Sequence, residues 1–127
     1  MTTPERRRIA DAIAQAERGT SGRIAVRLIP DADVDAFQRA KMEFERIGMR
    51  HHEPRNSALI LVAPKARRYA VIGDRALHAR VGDAFWNDVV AELRPFFAHD
   101  DIAGAIVRGV ERLGSAFEEH FASPETP

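Results

Sequence analysis

The sequence predicts an α/β domain on a small mixed sheet, and three observations carry that prediction. Residues 58–63, Ala-Leu-Ile-Leu-Val-Ala, are apolar without a break, as a strand covered on both faces must be. A short Pro64-Lys65-Ala66 turn separates them from a second apolar run, residues 68–73, so the two form an antiparallel hairpin. Upstream, Ile24, Val26 and Leu28 alternate with Arg23, Ala25 and Arg27, and a helix-period segment lies between this strand and the hairpin. A strand, a helix and a strand in that order imply a parallel pair with a right-handed crossover.

The totals bound the answer further. A chain of 127 residues fits one domain, and at that length folding buries roughly two-thirds of the unfolded surface without a metal or disulfide staple. The 19 basic and 19 acidic residues balance, so no global field draws the chain to nucleic acid or to an acidic membrane. Cysteine is absent, which excludes disulfides, thiolate metal sites and thiol nucleophiles together. The N-terminus lacks an apolar core of signal-peptide length, and no apolar run approaches the ~20 residues of a membrane span. The expectation is a cytoplasmic protein without direct membrane insertion.

In chain order, Thr3, Pro4 and Glu5 read as N-cap, first helical position and first-turn acid. Ile9, Ala12, Ile13 and Ala16 follow at helical spacing, and Gly19 stops the helix. Arg6, Arg7 and Arg8 form its solvated face. Thr20-Ser21-Gly22 turns into the first strand, whose alternation marks it as an edge, and Pro30 ends it. Asp31, Asp33 and Asp35 resemble the opening of a calcium loop in spacing. Ala36 replaces the required glycine and Met42 the bidentate glutamate, so they read as helix-capping acids. The next helix carries Val34, Phe37, Ala40, Phe44 and Ile47 as its core stripe and ends at Gly48. His51-His52-Glu53 lies in an exposed connection, because adjacent residues point apart and Pro54 favours an extended backbone. After the hairpin, Asp74 caps a short helix over 75–81, Gly82 breaks it, and Asp83 caps a longer one. Phe85, Trp86, Val89, Val90 and Leu93 are the buried stripe of that longer helix, which Pro95-Phe96-Phe97 ends. His99-Asp100-Asp101 starts the last helix, with Ile102, Ile106, Val110, Leu113, Phe117 and Phe121 inward. One domain spans 1–121, and residues 122–127 are a frayed tail.

This topology gathers polar residues at one edge of the sheet. The starts of the two parallel strands meet the end of the antiparallel one, bringing together Thr20, Ser21, Arg55, Asn56, Ser57, Asp74 and Arg75, with His78 and Asp83 nearby. Asp74 and Asp83 are hard oxygen ligands of the kind calcium or magnesium prefers, and Arg55 and Arg75 suit phosphate. Each of these residues is also an ordinary cap or turn residue, so it is their convergence that marks a site.

The order TSGRIAVRLIP, a helix, RNSALILVAPKARRYAVIGD, then VGDAFWNDVV and IAGAIVRGVERLG resembles the TPM domain family. The resemblance covers nearly the whole chain and implies a three-layer α/β/α sandwich. It also implies links to phosphatase activity, to divalent-cation binding and to membrane-protein maintenance, the last in long, membrane-anchored relatives. Arg23 stands where relatives often have glutamate, and Ser57 where they have glycine. Ala76-Leu77-His78 replaces a Gly-Leu-Glu motif, while Asp83 matches. That exchange removes a glutamate from the inherited calcium site and leaves His78, which can bind a transition metal.

Two functions follow as expectations. One is a non-catalytic module whose polar edge binds an ion or docks a partner, a membrane protein among them. The residues it would use are Thr20, Ser21, Arg55, Asn56 and Arg75, with Asp74, His78 and Asp83 as metal ligands. The other is a metal-assisted phosphatase, in which Asp74, Asp83 and Arg75 clamp the phosphoryl group and Ser21 or Asp74 attacks. Neither nucleophile has a partner base legible in the sequence. Nucleic-acid binding is not expected, because no basic stripe with interleaved aromatics occurs.

Overall fold

The computed structural model describes residues 1–123. Eight elements follow in order: α1 (Thr3–Glu17), β1 (Arg23–Leu28), α2 (Ala36–Arg46), β2 (Ser57–Ala63), β3 (Arg68–Gly73), α3 (Arg75–Val81), α4 (Asp83–Ala98) and α5 (Ile102–His120). Short 3-10 turns at Met49–His51 and Pro64–Ala66 complete the connections. The sheet has the order β1-β2-β3, with β1 parallel and β3 antiparallel to the central strand. The mixed sheet inferred from the sequence is therefore present, with its parallel crossover and its hairpin.

The unbroken apolar run of β2 has its reason in the layers. Ala58, Ile60 and Val62 face one core with Ile9, Leu93, Ile106, Leu113 and Phe117, so α1, α4 and α5 cover that side. Leu59, Leu61 and Ala63 face a second core with Ala36, Ala40 and Phe44 of α2. Every β2 residue is buried, and each large side chain among them contributes about 1.5–3 kcal/mol relative to exposure. This is the three-layer arrangement. α1 approaches α5 closely because Gly114 lies against Ala16, where an added Cβ would sit 2.8 Å from the Ala16 Cβ.

Several details depart from the sequence expectation. The N-cap of α1 is Thr2, one residue earlier than expected. Its Oγ1 accepts the Glu5 N–H while Glu5 Oε1 accepts the Thr2 N–H, a reciprocal capping box. On α2 the buried face is Ala36, Ala40, Glu43 and Phe44, and Phe37 is 54% exposed. Phe37 instead lies under the Lys41 ammonium, 4.9 Å from the ring centroid. Phe37 stands in the first turn, just after the Asp35 cap, whose Oδ1 accepts the Gln38 N–H (3.1 Å), and Ala36 is the first helical residue. Pro95 does not end α4, which runs to Ala98. The proline removes one backbone donor, but Phe97 beyond it stacks on Tyr69 at 4.0 Å between centroids and holds the last turn in place.

Asp83 is not the cap of α4 either. The cap position is Gly82, at φ 79°, and Asp83 is the first helical residue with a solvent-facing side chain. Of the segment expected to fray, Ala122 pairs with Thr20 and the Ser123 N–H donates to the Gly19 carbonyl (2.8 Å). Residues 124–127 lie outside the described residues.

Candidate functional site

The register fixes the polar edge. Arg23 pairs with Ser57 and Ala58 with Gly73, so the starts of β1 and β2 meet the end of β3. The Asp74 N–H closes on the Ser57 carbonyl (2.8 Å), and the Ala76 N–H on the Arg55 carbonyl (2.8 Å). α3 is thereby tied by its first turn to the strand that carries Arg55, Asn56 and Ser57.

Two groups of side chains result. The first is buried or half-buried. Asn56 is fully buried, and its Nδ2 donates to Ser21 Oγ (3.0 Å). His52 Nε2 lies 2.7 Å from the Ser21 carbonyl, an acceptor, so this nitrogen carries the ring proton. Arg55 grips Asp74 with two parallel bonds, Nε to Oδ2 (2.5 Å) and Nη2 to Oδ1 (2.8 Å). Asp74 Oδ1 also accepts the Arg75 N–H (2.8 Å), so the one carboxylate caps α3 and neutralises Arg55. The hydrogen bond to Asp74 holds the Arg55 guanidinium above its usual range. Asn56 Oδ1 and Ser57 Oγ, both buried, have no hydrogen-bond partner among the described residues.

The second group is exposed. Trp86 Nε1 donates to His78 Nδ1 (2.9 Å), and His78 Nε2 lies 3.2 Å from Asp83 Oδ1. An indole N–H only donates, so Nδ1 is bare and Nε2 carries the proton toward Asp83. The Trp86 ring reaches over the end of β3, where Gly73 leaves room for it, and Phe85 meets it edge-on at 5.0 Å. Trp86 was expected in the core; it is half-buried, with its polar end at the site.

Of the expected site residues, the structure brings Ser21 to Asn56, Arg55 to Asp74, and His78 to Asp83. Thr20 turns away: its Oγ1 donates to the Glu17 carbonyl (3.0 Å) and accepts the Gly22 N–H (3.1 Å). Arg75 is exposed and forms no ion pair among the described residues. The expected metal ligands Asp74, His78 and Asp83 are divided, because both Asp74 oxygens are committed to Arg55. Among the described residues no three His, Asp or Glu side chains gather to hold a metal. His52 and Trp86 were missed, and Ser57, placed at the edge, was given no ligand role. Trp86 had a signal, since it stands three residues after Asp83 on the same helix face. His52 had none, because only the fold of the loop before β2 brings it to Ser21.

The chemistry open to this arrangement is narrow. Ser21 Oγ accepts a bond from an amide instead of facing a base, and the His52 nitrogen near it is turned to a carbonyl. A cleft of about 180 Å³, lined by Arg67, Arg68, Tyr69 and Phe97 among others, lies at the opposite end of the strands and contains none of these residues.

The NMR structure of the BA42 protein from the psychrophilic bacterium Bizionia argentinensis is similar at TM-score 0.89 and 30% identity, over 98% of this chain and 86% of that one. The N-terminal domain of cg2496 from Corynebacterium glutamicum matches at TM-score 0.75 and 18% identity, over 100% and 80% of the two chains. An N-terminal domain from P. gingivalis matches at 0.79 and 14%, over 98% and 83%. The last two share the fold alone. No curated protein matches the chain. The profile of the TPM domain (TPM_phosphatase) matches residues 1–116, and the chain belongs to the TPM domain family.

Proposed function

We propose that this domain is a non-catalytic binding module whose polar edge holds a small ion, with hydrated calcium or magnesium as the first candidates. One observation carries the proposal. Asn56 and Ser57 are buried, yet among the described residues the side-chain oxygen of each has no partner. A buried acceptor left unmade costs about 1–3 kcal/mol, so an ion or its water that reached these oxygens would stabilise the edge. The exposed pair His78 and Asp83, on the two helices that follow β3, offers a further carboxylate. Magnesium keeps several waters and needs only one or two carboxylates, which suits an edge where the described residues form no three-ligand cluster. The family's link to membrane-protein maintenance makes a membrane protein the partner class to which such a module would report.

The phosphatase alternative draws less support from the same atoms. Asp74 has both oxygens engaged, and Ser21 has no base beside its hydroxyl.

The test is thermal unfolding with millimolar calcium, magnesium, manganese or zinc, on the wild type, Asp83→Ala and Asn56→Ala. A hard divalent ion is expected to raise the wild-type midpoint, by about 2.7 kcal/mol of stability at a hundred times its dissociation constant. The rise should shrink in both variants. If no ion moves the midpoint, the ion reading fails. Hydrolysis of a generic phosphate ester that Asp74→Asn abolishes would establish the enzyme instead.

A further inference from the structure

β1 leaves one side of its backbone unpaired. The Ile29 N–H donates to the Val62 carbonyl (2.9 Å), and the register runs from Arg23↔Ser57 to Leu28↔Val62. The odd-numbered residues therefore bond to β2, and the N–H and C=O groups of Ile24, Val26 and Leu28 point outward. Glu17 Oε2 takes the Ile24 N–H (2.8 Å). Among the described residues no such bond reaches Val26 or Leu28 on that side. Beside this edge lies an apolar groove of about 340 Å³, lined by Met1, Ile9, Ile13, Val26 and Leu28, with Arg6 in its wall. Leu28 is 43% exposed there.

We propose that the free edge of β1 accepts an extended segment of a partner protein as a fourth strand, with acidic and apolar residues alternating along it. Side chains on a strand alternate between faces. The apolar ones would enter the groove beside Val26 and Leu28, and the acidic ones would lie on the opposite face, with Arg23 and Arg27. The charge argues for that occupant. Arg6 and Arg23 are exposed and form no salt bridge among the described residues. Arg27 feels Glu43, but the Glu43 carboxylate bonds to Arg46 (2.6 Å), and the buried Arg27 Nε has no acceptor among the described residues. A second copy of this chain is disfavoured by the same residues. Two antiparallel β1 strands would set the arginines of both copies on one face, opposite or diagonal, where like charges repel. This surface is separate from the polar edge, and its occupancy does not depend on an ion there.

The experiment uses the full chain and two synthetic peptides, an eight-residue alternation of Glu and Val and its Lys-Val counterpart. Amide hydrogen exchange is followed residue by residue. The Glu-Val peptide is expected to protect the Val26 and Leu28 amides, and the Lys-Val peptide to leave them unchanged. Arg23→Glu, checked for native folding by circular dichroism, should weaken the acidic peptide roughly fivefold, and raised salt should weaken it further. No protection by the acidic peptide would overturn the proposal. So would equal binding by Arg23→Glu, or protection that rises with protein concentration in the absence of peptide, which would mark self-pairing.

Discussion

Replacing Gly73 by alanine tests how the end of β3 and the exposed half of the site are packed together. The new Cβ would lie 2.5 and 2.7 Å from two Trp86 ring carbons and 3.0 Å from Leu77 Cδ2. Carbon atoms settle at about 3.5–4.0 Å, so the overlap with the indole approaches ~1 Å. Leu77 is fully buried and does not yield. Trp86 must therefore swing away, and its hydrogen bond to His78 (2.9 Å) goes with it. Overpacking costs about 1–3 kcal/mol, and an exposed hydrogen bond adds roughly half to one. Removing a glycine from a strand returns roughly 0.5–1 kcal/mol. The expected net loss is about 2 kcal/mol, or roughly 6–10 °C in Tm for a domain of this size. Urea unfolding followed by circular dichroism measures it, and the same substitution in a Trp86→Phe background supplies the control. With the larger ring gone, the cost of Gly73→Ala should fall to the part set by Leu77, about 1 kcal/mol or less. An equal cost in both backgrounds would refute the claim that the glycine exists to admit the indole.

Gly22→Ala should be worse, at about 3 kcal/mol or more, because its Cβ would overlap the fully buried Phe117 ring; urea unfolding measures the loss, and Phe117→Leu should recover part of it. Phe37→Ser should stay within about 0.5 kcal/mol of wild type in the same assay, whereas Phe44→Ala should cost about 3–5 kcal/mol, since Phe37 is exposed and Phe44 is buried. Acid should destabilise the fold through two carboxylates. The hydrogen bond from Arg46 outweighs burial at Glu43, and at Glu92 the opposing push of burial is overcome by hydrogen bonds from Arg112 and Arg108, so both sit below the usual carboxylate range. A carboxyl depressed in the folded state stabilises above its unfolded pKa, and that stability is lost as pH falls through the folded value. Unfolding free energy measured from neutral pH down through the carboxylate range should decline, and Glu43→Gln and Glu92→Gln should each flatten the decline.

The sheet was legible because its signals are redundant. An apolar run of six residues, a Pro-Lys-Ala turn and an alternating strand agree with one another, and the register follows from them. Helix ends were less so. Thr2 and Thr3 are both competent caps, and only the reciprocal bond with Glu5 selects Thr2. On α2, Phe37 and Phe44 stand seven positions apart and so on nearly the same face, and spacing alone could not show that Phe37, in the first turn, stays exposed while Phe44 is buried. At the site, topology correctly gathered Ser21, Arg55, Asn56 and Asp74. It could not say that Arg55 would take both oxygens of Asp74, since pairing depends on rotamers and not on which strand end a residue occupies. The contact of His52 with Ser21 spans 31 positions and a loop with no periodicity, so no local pattern encodes it.

The central claim is that an ion binds at the polar edge, and manganese can locate it by its paramagnetism. Substoichiometric manganese should broaden the amide resonances of Ser21, residues 55–57, Asp74 to His78, and Asp83, with excess magnesium or calcium reversing the effect. Broadening centred on Asp31, Asp33 and Asp35, or uniform weak broadening over the whole surface, would contradict the account and return Asp74 and Asn56 to purely structural roles.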